Sequence, residues 1–105
     1  MLPPHLPEDT TLLATVLKPL LDDFQYWFQQ SLELFEQGPI QFLTAEQQKS
    51  LIERLTTALG EARTASTLLA ATDGQVGVET STVMAWHALV AECWAIARRR
   101  RAESA

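Results

Sequence analysis

An apolar period of three to four residues, sustained through three long blocks and broken twice by glycine-containing loops, limits this chain more than any other feature. In the first block Leu13, Leu17, Leu20, Phe24, Trp27, Phe28, Ser31 and Phe35 recur at the spacing of one helix face. Leu12, Val16, Leu21, Tyr26, Leu32 and Leu34 widen that face, while Lys18, Asp22, Gln25, Gln29, Glu33 and Glu36 form the polar side. A strand would need alternation with a period of two, so the block reads as a helix over about residues 9–37. Asp9 or Thr10 is the expected N-cap, and Gly38-Pro39 is the stop. Pro19 lies inside the block. It lacks the N–H that would bond the Thr15 carbonyl, so a kink is expected near Lys18, and the stripe keeps its register on both sides of it.

The second block opens on the strongest local signal in the chain. Thr44-Ala45-Glu46-Gln47 has the spacing of a capping box, Thr44 at the N-cap and Gln47 at the third helical position. The apolar link Ile40-Gln41-Phe42-Leu43 precedes it. The helix is expected over 45–72, with Leu51, Leu55, Ala58, Leu59, Ala62, Ala65 and Leu69 as its stripe and Asp73-Gly74 as its end. Its second half is rich in small residues, including Gly60, which suits close approach of a neighbouring helix. Gly60 itself costs about 1 kcal/mol relative to alanine in a helix interior. A loop follows through Gly77. The third helix is expected over 80–102, with Val83, Trp86, Val90, Cys93 and Ala97 on one face and Leu89 and Trp94 on its flanks.

Three amphipathic helices joined by short links imply an all-α fold, an antiparallel three-helix bundle with a long, Pro-kinked first helix. The expected organisation is a single domain over 9–102, a mobile arm over 1–8 carrying three prolines, and a short tail over 103–105. Hydrophobic residues make up 47% of the chain, too many for a disordered one. No apolar run approaches the roughly 20 residues that cross a bilayer, and the start lacks the basic and apolar regions of a secretory signal, so a cytoplasmic location is expected. Cys93 is the single cysteine, which excludes an internal disulfide and a cysteine-based zinc site.

The net charge of −5 is unevenly spread. Residues 1–97 carry four basic side chains against twelve carboxylates, a net of −8, whereas residues 98–105 carry four arginines against Glu103, a net of +3. Arg98, Arg99, Arg100 and Arg101 close the third helix, where cations complement the negative end of its dipole. They surround the last turn, so they cannot all pack. Their chemistry suits an acidic protein patch, phosphate or an anionic membrane surface. The acidic body would repel a nucleic-acid backbone beyond the tip, so no nucleic acid is expected.

Catalytic and metal-binding patterns are absent. No Glu-x-x-His pair precedes His87, and His87 and Cys93 lie about 120° apart around a helix. Asp22-Asp23, Glu33 and Glu36 alternate with glutamines on a polar face, the pattern of solvated carboxylates rather than a paired acid and base. Gly74-x-x-Gly77 follows no strand and precedes no Gly-Lys, so it is a turn and not a phosphate loop. Cys93 sits on the apolar stripe as a small hydrophobe. No enzyme and no cofactor is therefore expected. Phe24, Tyr26, Trp27 and Phe28, in contrast, occupy nearly every side of one helical turn, and a three-helix bundle cannot cover all of them.

The strings Leu17-Lys18-Pro19-Leu20-Leu21-Asp22-Asp23-Phe24-Gln25-Tyr26-Trp27-Phe28 and Thr72-Asp73-Gly74-Gln75-Val76-Gly77-Val78-Glu79-Thr80, with Trp86-His87 and Glu92-Cys93-Trp94 beyond them, resemble a family of short cyanobacterial proteins labelled only as a domain of unknown function. The resemblance covers roughly residues 10–100. It implies a small helical soluble protein of cyanobacterial origin, for which a place peripheral to the thylakoid membrane is an expectation, and brings no activity or catalytic residue.

The functional expectation is a non-enzymatic interaction module that docks a protein partner or a second copy of itself. Tyr26, Trp27, Gln75, Val76, Glu79, Trp86 and His87 are the expected partner-binding residues, and Arg98–Arg101 the contact for an anionic surface. The alternative is a small-molecule binder, for example of a tetrapyrrole pigment, built on His87 and the neighbouring tryptophans.

Overall fold

The computed structural model describes residues 6–75 and 77–104. It contains three α-helices, α1 (Leu6–Glu36), α2 (Ala45–Ala71) and α3 (Thr80–Ser104), and no strand among the described residues. Short loops reverse the chain twice, which gives the antiparallel three-helix bundle that the periodicity predicts. Side-by-side packing of such long helices makes a rod of 58 × 22 × 19 Å. Its radius of gyration of 16.9 Å exceeds the value of about 13 Å for a compact chain of this length.

α1 begins earlier than expected. Among the described residues it is helical from Leu6, so Asp9 and Thr10 stand inside the helix and not at the N-cap position. The physical reason is Pro7. In the first turn a proline sacrifices only an N–H that has no partner there, and its fixed φ is already helical. Residues 1–5 of the expected arm lie outside the described residues. α1 also continues as one helix through Pro19, whose ring is exposed. Leu17, Leu21, Phe24, Phe28, Leu32 and Phe35 are buried on both sides of that proline, and this continuous buried face holds the helix together across the missing bond.

α2 starts with the expected capping box. The Thr44 hydroxyl accepts from the Gln47 N–H at 3.0 Å, and Gln47 Oε1 accepts from the Thr44 N–H at 2.8 Å. It ends in a Schellman motif, in which the Gly74 N–H reaches the Leu69 carbonyl at 2.8 Å and the Asp73 N–H reaches that of Ala70 at 3.4 Å. The motif needs left-handed backbone, supplied by Asp73 at φ 53° and Gly74 at φ 83°. Aspartate tolerates that region better than most side chains, and glycine enters it without strain.

The core comes from all three helices. α1 and α2 pack most closely, and the small buried side chains Ala58 and Ala62 of α2 permit that approach. α3 adds Trp86, Leu89, Val90 and Cys93. The Trp86 ring meets Phe24 at 5.4 Å and Phe28 at 6.4 Å between centroids, both edge-on, the arrangement that aromatic quadrupoles favour. Its indole N–H donates to Glu61 Oε1 at 3.2 Å, which satisfies the one polar atom of the ring. Gly60 does not serve close packing. It is exposed, and a methyl group placed on it would meet nothing within 4 Å.

The α1–α2 link is held by a residue with no motif to mark it. Gln48 Nε2 donates to the carbonyls of Phe35 at 2.8 Å and Gly38 at 2.9 Å, and its Oε1 accepts from the Ile40 N–H at 2.8 Å. One amide thereby serves the carbonyl end of α1 and both sides of the turn.

Candidate functional site

Two turns of different helices build the most distinctive surface. On α1, Phe24 and Phe28 face the core, which turns Tyr26 and Trp27 outward at 56% and 38% exposure. On α3, the buried arc of Trp86, Leu89, Val90 and Cys93 leaves Trp94 at its edge, 42% exposed. The two edges meet. Trp27 and Trp94 pack edge-to-face with centroids 5.2 Å apart, and Tyr26 packs edge-to-face on Trp27 at 5.1 Å. His87 and Met84, both exposed, precede Trp94 by seven and ten residues and so lie on its side of α3. On α1, exposed Val16 lies eleven residues before Trp27, on the same face. The result is an open seam between α1 and α3, aromatic at its centre and flanked by Met84 and Val16.

The residues expected to bind a partner are thus divided. Tyr26 and Trp27 belong to the seam, and His87 lies on its α3 side. Trp86 is only 3% exposed, so its ring belongs to the core. Gln75 and Glu79 are exposed on the α2–α3 loop. Fifteen residues separate Glu79 from Trp94, about 22 Å along α3, so the loop is remote from the aromatic centre. Val76 lies outside the described residues. Sequence reasoning missed the part played by Trp94. The available signal was the seven-residue spacing from His87 to Trp94, which puts both on one side of the helix.

The arginine tip is partly occupied within the molecule. Arg99 lies over the Phe42 ring, 4.1 Å from its centroid, and its Nε donates to Glu103 Oε2 at 2.7 Å. This ties the end of α3 to the α1–α2 link through a cation–π contact. Arg100 lines a hollow with Pro39, Phe42 and Glu103. Arg98 and Arg101 are exposed. A bidentate pair from Arg54 to Glu92, at 2.8 and 3.2 Å, bridges α2 and α3 on the opposite side of α3 from the seam and raises the Arg54 pKa.

A shallow cleft of about 630 Å³ lies between the second half of α2 and the start of α3. Glu61, Leu68, Val78, Glu79 and Trp86 are among its lining residues, and His87 is not. Cys93 is 2% exposed, and its burial pushes the thiol pKa up against the opposing effect of a hydrogen bond with Ser31. Among the described residues no three His, Cys, Asp or Glu side chains cluster as metal ligands would, and no helix is long and apolar enough to cross a membrane.

Fold and surface together define a small all-α bundle with an exposed aromatic seam. The chain belongs to the family described as "Protein of unknown function (DUF2605)", whose model matches residues 7–102. Comparison with curated proteins and with solved structures gives no match.

Proposed function

We propose that the protein is a non-enzymatic interaction module whose docking surface is the α1–α3 seam, with Arg98 and Arg101 as its electrostatic rim. The observation that carries this reading is the Trp27–Trp94 pair, two indoles brought together from different helices and both left more than a third open to solvent. Tryptophan and tyrosine are favoured anchors because they offer a large apolar area with little side-chain entropy to lose. The basic end of α3 suits an acidic surface on the partner.

The test uses the Trp27→Ser/Trp94→Ser double variant beside the wild-type chain. Both are immobilised and exposed to extract of the source cell at low and high salt. The variant is expected to keep its helical circular dichroism and to lose the retained partner. Equal retention by a folded variant would refute the reading. Partial release of the wild-type partner by salt would assign a share of the affinity to the arginines, because exposed charge pairs are screened.

A further inference from the structure

We propose that the occupant of this seam is a second copy of the chain, paired antiparallel about a two-fold axis near Ala91. The inference rests on the reading of the seam as a docking surface and names what docks there. Shape supplies the first argument. The exposed side of α3 carries the small residues Ala88 and Ala91 between the larger Met84 and Trp94, with Ala95 just beyond. Small side chains at a crossing let two helix backbones approach, and the larger ones on either side fill the space beyond it. A two-fold axis at Ala91 places Trp94 of each copy against His87 of the other, and Met84 against the aliphatic stem of Arg98. The α1 face that carries Val16 and Trp27 continues to the partly buried Leu34, seven residues beyond Trp27, a length of about 27 Å from Val16, and two adjacent helices are about 20 Å wide. A face of that size has the dimensions of a small homodimer interface.

Charge selects the antiparallel arrangement. Arg98 lies seven residues beyond Ala91, so in antiparallel copies the two Arg98 positions stand about 21 Å apart. That separation is more than twice the screening length at physiological salt. A parallel pair would bring the two basic tips together. The antiparallel pair instead sets each tip against the acidic body of the other copy. Arg98 falls at the level of Met84 there. Phe24 packs on Trp86, so the neighbouring exposed carboxylate Asp23 lies within about one turn of that level, on the seam side of α1. The dimer therefore holds two Arg98–Asp23 pairs, one at each end of the interface, each joining the arginine of one copy to the aspartate of the other.

Sedimentation velocity of the full chain, over about 1 to 100 μM, tests the proposal. The wild type is expected to be a dimer in low salt and to dissociate as salt rises. Arg98→Glu should weaken association at least tenfold, and adding Asp23→Arg to it should restore most of the loss. Trp94→Ser should also give a monomer, and Arg98→Glu keeps the test open should that variant unfold. A wild-type monomer throughout would overturn the proposal, although the extract experiment above would still support a seam that binds a foreign partner. A dimer indifferent to both substitutions would overturn it by locating the interface elsewhere. Loss of the dimer in Arg98→Glu without rescue by Asp23→Arg would overturn the antiparallel pairing.

Discussion

Replacing Gln48 by alanine should destabilise this bundle out of proportion to the residue's partial exposure. The side chain makes three hydrogen bonds of 2.8, 2.8 and 2.9 Å, to the Ile40 N–H and the Phe35 and Gly38 carbonyls. A typical internal hydrogen bond is worth about 1 kcal/mol net. Water can reach part of this loop after truncation, so the expected loss is about 2–3 kcal/mol rather than the full cost of three buried orphans. For a domain of this size that lowers the melting temperature by about 8–12 °C. Urea titration followed by circular dichroism should show a lower midpoint with an unchanged slope, because the folded and unfolded surfaces barely change. Gln48→Glu is the sharper probe. It keeps an acceptor for Ile40 but turns a carboxylate oxygen toward two carbonyls, which raises the carboxyl pKa in the folded state. Protonation is then favoured by folding, so the variant's relative stability should be greatest below the unfolded carboxyl pKa and be lost as pH rises through the folded one. A Gln48→Ala chain within about 0.5 kcal/mol of wild type would refute the clamp, since surface substitutions away from special features fall in that range.

Four further outcomes follow from the same geometry. Gly60→Ala should stabilise by about 1 kcal/mol in thermal unfolding, because the added methyl meets no atom and the helix interior gains propensity. Destabilisation there would mean that a neighbouring helix closes on this position. Trp86→Ala should cost about 3–5 kcal/mol while Trp94→Ala costs far less, a contrast readable by chemical denaturation that follows from burial alone. Cys93 should react slowly with an aromatic disulfide reagent in the native protein and rapidly in urea. Its raised thiol pKa also predicts a stability contribution present below the unfolded thiol pKa and lost as pH rises through the folded one, which Cys93→Ala should remove. Arg54→Ala should cost less than about 1 kcal/mol, and still less at high salt, because the pair with Glu92 is about half exposed at each end.

Local rules made much of the bundle legible. The capping box at Thr44–Gln47 and the stop at Asp73-Gly74 are complete within a few residues, so the chain states them directly. The α1 stripe across Pro19 is also local, and it points to one helix in place of two, which is what the structure has. The start of α1 was misplaced because Pro7 reads equally as an extended arm and as a first-turn residue, and the choice depends on whether the turn after it is retained. Gln48 was invisible for another reason. A glutamine on a helix carries no pattern, and its value comes from the return of the α1 end to within hydrogen-bond distance.

The aromatic site divides along the same line. Four aromatics in the turn from Phe24 to Phe28 already required that some remain uncovered, since helix geometry points them in all directions and a bundle has one core side. The side chains of α1 are shared out only when α3 settles into place. Trp86, the expected anchor, then goes to Phe24, Phe28 and Glu61, while Trp94, read only as a flank, meets Trp27 at the surface. Arg99 is likewise drawn onto Phe42 by a contact between residues 57 positions apart. Three helices, their apolar faces, the capped start and glycine-marked end of α2 and the basic tip can be read along the chain, because these depend on spacing and on interactions a turn or two apart. Only the tertiary structure decided which aromatics became core and which became seam, because burial is set by the neighbour that a side chain meets from another helix, and no spacing along the chain specifies that neighbour.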